Sequence, residues 1–64
     1  MNGTTRADIK KGLSVAIVQK HHQRSGELTN GKVKRILTKA SRHPHGIKVE
    51  LESGIVGRVK RIGD

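Results

Sequence analysis

Four histidines stand in two pairs, His21-His22 and His43-Pro44-His45. Imidazoles titrate near neutral pH and bind zinc or nickel, so a meeting of the two segments would bring four rings toward one ion. The spacings differ from the usual Cys/His zinc patterns, the chain has no cysteine, and no carboxylate stands beside either pair. They read as polar loop side chains, and neither a metal nor another cofactor is expected. Glu50 and Glu52 share one face of an alternating, solvated run. No serine has a histidine and an acid arranged around it, and no glycine-rich loop opens a helix. A chain of 64 residues has little room for a pocket that excludes water. The expectation is a protein that is not an enzyme.

The basic residues carry the stronger chemistry. Fourteen Lys and Arg oppose five Asp and Glu, a net charge of +9. Self-repulsion on that scale destabilises a small fold and points to a polyanionic partner. Within residues 20–42, Lys20, Arg24, Lys32, Lys34, Arg35, Lys39 and Arg42 face only Glu27. On an alternating strand Lys32 and Lys34 share a face, as do Arg58 and Lys60. If the two strands are neighbours, these pairs form one basic stripe. Lys32, Lys34, Arg35, Arg58, Lys60 and Arg61 are therefore the leading candidates for phosphate contacts, joined by Arg24, Arg42, His43 and His45. Each neutralised phosphate releases counterions, and arginine binds phosphate oxygens bidentately.

The chain has no Phe, Tyr or Trp. Sequence-tolerant single-strand binders stack bases on such rings, so structured RNA, ribosomal RNA included, is the expected partner. No recognition helix is visible for a DNA major groove. The alternative is a module that docks on an acidic protein surface, although peptide grooves of SH3 type are lined by aromatics.

Positioning these residues falls to a small core. It must come from six valines, six isoleucines and four leucines, mostly β-branched side chains that favour strands. Leu13, Val15 and Ile17 alternate within a run over 13–20. A second strand is expected over 32–39, after a segment (21–31) with Ser25-Gly26 and Asn30-Gly31 as turn signals. Residues 40–46 form a loop around Pro44. Ile47, Val49 and Leu51 alternate with Lys48, Glu50 and Glu52, then Ser53-Gly54 turns the chain into a last strand over 55–62. Gly31-Lys32-Val33-Lys34-Arg35-Ile36 is echoed by Gly57-Arg58-Val59-Lys60-Arg61-Ile62. The apolar residues three apart within each copy predict a bulge in a strand that coils around a barrel.

The result is an all-β chain: a small antiparallel barrel of about four to five strands over 12–64. Residues 1–11 are a flexible tail or a short helical turn. Neither an apolar leader near Met1 nor a run long enough to span a bilayer is present, so a cytoplasmic protein without a membrane partner is expected, as monomer or weak dimer.

Residues 11–37, with Lys11-Gly12-Leu13-Ser14-Val15-Ala16-Ile17-Val18, Gly26 and Gly31-Lys32-Val33-Lys34-Arg35-Ile36, resemble the KOW motif of ribosomal proteins and transcription elongation factors. That resemblance implies a bent strand pair in an SH3-like barrel docked on RNA. Nearly the whole chain resembles the YwbE family of small proteins. The residues concerned are Gly12, Val15, Ile17-Val18, Gly26, Leu28-Thr29, Gly31, Val33, Ile36-Leu37-Thr38, His43-Pro44-His45-Gly46-Ile47-Lys48-Val49 and Gly54 through Val59. This second resemblance implies a fold but no activity. His21 and His22 depart from the family's pattern, which weakens them as parts of a shared site.

Overall fold

Alternating β-branched residues pair here as four antiparallel strands: β1 (Ser14–Val18), β2 (Leu28–Ile36), β3 (Lys48–Leu51) and β4 (Val56–Ile62). They close in the order β1-β2-β3-β4, and β4 returns to pair with β1. Closure gives each strand a neighbour on both sides, with Leu28–Lys32 pairing to β1 and Val33–Ile36 to β3 along the bent second strand. This computed structural model describes residues 3–63. Its all-β closed barrel is consistent with a small SH3-like barrel.

The inward side of the alternation fills the barrel. Val15, Ile17, Val33, Val49, Leu51 and Val59 are buried, with Ile9 and Ile47 completing the cluster. Truncating a fully enclosed residue such as Ile17 to alanine costs about 2–5 kcal/mol, a large share of a small domain's stability.

Residues 3–11 pack against the barrel, and of the two forms expected for this segment the short helical turn is present. A single 3-10 turn, Arg6–Asp8, precedes Gly12, and Ile9 behind it is 3% exposed. The backbone before the turn runs against the 41–47 loop. Ile47 N donates to Gly3 O (2.9 Å), His43 N to Thr4 O (3.0 Å) and Arg6 N to Ser41 O (2.8 Å). The sequence leaves tail and turn open for this short polar segment because its partners lie some forty residues away.

The second strand begins at Leu28, not Lys32, and Asn30-Gly31 is no turn. Asn30 pairs with Ala16 and Gly31 with Val15. Gly31 is used for its missing side chain: a Cβ there would lie 2.7 Å from Leu51 Cδ1. The connection that does turn holds a second 3-10 helix, Lys20–His22.

The sequence echo is a structural repeat. Register shifts between Val33 and Arg35 on β2, and opposite Ala16 and Ile17 on β4, leave Lys34 and Lys60 as the extra residues of two bulges. The likeness extends to the other strands. Ser14, Val15, Ala16 and Ile17 have Lys48, Val49, Glu50 and Leu51 as counterparts. Ala16 pairs with Arg61 as Glu50 pairs with Arg35, and Ile17 with Val59 as Leu51 with Val33. Gly57 mirrors Gly31, its missing Cβ making room for Ile17 Cδ1 and Val18 O. The barrel is thus two hairpins related by an approximate two-fold. The β1–β2 connection is eight residues longer than a strict repeat of the β3–β4 connection would be.

A candidate nucleic-acid interface

The two-fold decides where the basic residues go. β2 and β4 each pair with β1 and β3 and never with each other. Lys32 and Lys34 therefore do not join Arg58 and Lys60 in one stripe, as neighbouring strands would have allowed. Each bulge turns two basic residues outward, Lys34-Arg35 on one side of the barrel and Lys60-Arg61 on the other.

These two sides differ in charge. On β3 the outward row is Lys48 and Glu50, and Arg35 Nε donates to Glu50 Oε1 in an ion pair. On β1 the outward row is Ser14, Ala16 and Val18, with Ala16 where β3 has the glutamate. Arg61 has no ion-pair partner among the described residues. Lys32 stands at the border. It pairs with Ser14, while its carbonyl accepts the N–H of Glu52 (2.9 Å). Arg58 sits between Val18 and Lys48, a more positive setting.

Small side chains on β1 leave hollows along this face. One, of about 430 Å³, is bordered by Ser14, Asn30, Gly31, Lys32 and Gly63. At the other end two recesses of about 450 and 410 Å³ share Val18, Gln23 and Arg58. His43, His45 and Lys60 line the first of these, and Lys20 and Lys48 the second. No carboxylate lines any of the three.

The loop that brings the histidines is pinned from β4. Lys60 Nζ donates to His45 O (3.1 Å) and Arg58 Nη1 donates to Gly46 O. Gly46, at φ +99°, lies against Val59 O, where a Cβ has no room. His43 Nδ1 accepts the N–H of His45 (3.2 Å), so neutral His43 keeps its proton on Nε2. Desolvation first, then the charges of Arg58 and His45, push the His43 pKa below its ordinary value.

The two histidine-bearing segments do approach one another, since Gln23 and Gly26 border the recess that His43 and His45 line. The His21 and His22 rings meet at a tilt, with centroids 4.0 Å apart, and His22 Nε2 turns to Glu27 (3.3 Å). The described residues hold no cluster of three or more histidine or carboxylate side chains fit for a metal.

Of the residues chosen from sequence, Arg58, Lys60, His43 and His45 come together, and Arg61 adjoins them across from Ala16. Lys34 and Arg35 lie on the other side, and Lys32 marks the edge. Arg24 is exposed in the β1–β2 connection, and Arg42 is exposed opposite Thr5. Lys20, Gln23 and Lys48 were missed. Lys48 was legible as the outward residue next to Ile47 and Val49, but its closeness to Arg58 depends on strand order.

A family model described as an uncharacterized conserved protein, DUF2196, matches residues 2–62. The chain belongs to the DUF2196 family. It is 58% identical over 62 residues to a protein of Bacillus subtilis (strain 168) called uncharacterized protein YwbE, covering 97% of this chain and 95% of that one. No solved structure matches. The DUF2196 match takes in all four strands, both bulges and the His43–Gly46 loop. Among the described residues no helix is long and apolar enough to cross a membrane.

Proposed function

We propose that this protein is a binding domain for structured RNA and presents the β1–β4 side of its barrel to the phosphate backbone. The observation that carries the reading is the unequal charge of two otherwise equivalent bulges. Lys34-Arg35 adjoins Glu50, whereas Lys60-Arg61 adjoins Ala16 and the carboxylate-free recesses around Arg58. The closed barrel fixes the backbone that bears these charges, so on binding only the side chains need ordering against the counterion-release term. Binding, without catalysis, is the activity proposed, and a cytoplasmic RNA fits it.

The repeat supplies its own control. Lys60→Gln with Arg61→Gln removes the same charge, from the same bulge geometry, as Lys34→Gln with Arg35→Gln. In gel-shift titrations against a hairpin RNA, the first pair should weaken binding about tenfold or more and the second about threefold or less. Equal losses would mean diffuse attraction to the whole surface. Absence of binding at about 50 mM salt would discard RNA and leave an acidic protein surface as the partner.

A further inference from the structure

The recess at the Val18 end of this face holds more than positive charge. Its floor is Val18, which is 5% exposed. Gln23 closes one side with an amide, Arg58 and Lys60 provide the cations, and His43 and His45 provide two rings. The ring centroids are 5.8 Å apart and the planes are inclined by 48°. At about 450 Å³ the space falls within the range of small-ligand sites, which combine an apolar surface with a few convergent polar groups.

Histidine is the one flat ring this chain can offer a base. The His43 ring is fixed by its own hydrogen bond, and its Nε2–H is left as a donor. Both histidines ride on a loop tied down by Arg58 and Lys60. A phosphate alone needs none of the apolar floor, the amide or the rings. A nucleotide displaced from its helix needs all of them, because single-stranded positions are read by ring stacking and edge hydrogen bonds.

We infer that this recess takes one unstacked nucleotide of the RNA, with its phosphate at Arg58 and Lys60 and its base against Val18 and the His43 and His45 rings. This rests on the RNA-binding reading and sharpens it: the preferred target is a helix with a bulged or loop nucleotide beside it. The Lys60-Arg61 bulge follows the adjoining backbone, and the Gln23 amide meets the edge of the base.

Two RNAs of equal length and charge test it, a fully paired duplex and the same duplex carrying one single-nucleotide bulge. Fluorescence anisotropy should show the protein binding the bulged RNA at least about fivefold more tightly, the range of a modest stacking contribution. His45→Ala, whose ring supports no backbone bond among those described, and Gln23→Ala should each reduce that preference, the bulged RNA losing more affinity than the duplex. Equal affinity of the wild type for both RNAs overturns the nucleotide site and leaves the RNA-binding reading standing. A preference unaffected by His45→Ala and Gln23→Ala overturns it as well. Failure to bind either RNA overturns both.

Discussion

Arg58 Nη1 donates a hydrogen bond to the carbonyl oxygen of Gly46, 3.2 Å away. The arginine that heads the basic side therefore also holds the turn that carries both histidines. Its charge cannot be removed without loosening that turn, and Lys60 shares the constraint through His45 O, which is why Arg61 makes the cleaner probe of binding. The Arg58 charge also joins desolvation, the larger cause, in lowering the His43 pKa.

His43 gives the protein a predicted response to acid. Its native pKa lies below the ordinary histidine value of 6.5. As the pH falls through that value the unfolded chain takes up a proton that the native state resists. Stability contributed by neutral His43 is thus present above about 6.5, is lost on acidification, and stops falling below the native pKa. Thermal melts at about pH 7.5 and about pH 5.5 should show a larger drop for the wild type than for His43→Gln. RNA affinity should move the other way, because a phosphate beside Arg58 offsets its charge and favours protonated His43.

Making the two halves alike in charge should abolish the preferred side. Ala16→Glu places a carboxylate opposite Arg61 as Glu50 stands opposite Arg35. Hairpin-RNA affinity should fall roughly three- to tenfold, and the slope of log affinity against log salt should shrink by about one. Glu50→Gln frees Arg35 and should raise affinity slightly. Ala16 is 4% exposed, so the carboxylate of Ala16→Glu should also lower the melting temperature, whereas Glu50→Gln, at a part-exposed pair worth about 0–1 kcal/mol, should barely move it.

The glycines predict a graded series in denaturant melts. Gly46→Ala should be the most damaging, combining left-handed backbone with contact against Val59 O. Gly57→Ala comes next, since its Cβ would meet the backbone oxygen of Val18 at 2.7 Å. An overpacked site of this sort costs about 1–3 kcal/mol. Gly31→Ala should cost less, because Leu51 Cδ1 is the end of a flexible side chain.

Salt dependence reports how far phosphate contacts carry the affinity. Four to six neutralised phosphates give a slope of about −3 to −5, a loss of roughly 60- to 1000-fold between about 50 and 200 mM salt. A nearly flat dependence with tight binding would rule out phosphate-led contacts. The bulged RNA should keep more of its affinity at high salt than the duplex, since stacking on His43 and His45 is less sensitive to ions.

Much of the fold was legible in local patterns. The period-two runs at Leu13–Ile17 and Ile47–Leu51 place the inward residues correctly, and apolar residues three apart at Val33–Ile36 and Val59–Ile62 locate both bulges. Asn30-Gly31 misleads because a glycine chosen for closeness to Leu51 looks the same in sequence as one chosen to turn. The burial of Ile9 and the hold of Arg58 on Gly46 depend on contacts distant along the chain. The candidate site was legible by residue type and not by side: β2 and β4 carry nearly the same letters, and only strand order shows that they face apart.

The two-fold arrangement also bears on how the chain reaches its native state. Each hairpin's returning strand serves both halves, β2 pairing first with β1 and then with β3, and β4 first with β3 and then with β1. Neither hairpin can bury its valines and isoleucines without the other, so neither is a separate cooperative unit. Hydrogen exchange across all four strands should then fall into one protection class. Much of the entropy of joining Ser14–Val18 to Val56–Ile62 must be met before that pairing is rewarded, which makes barrel closure the slow event in folding.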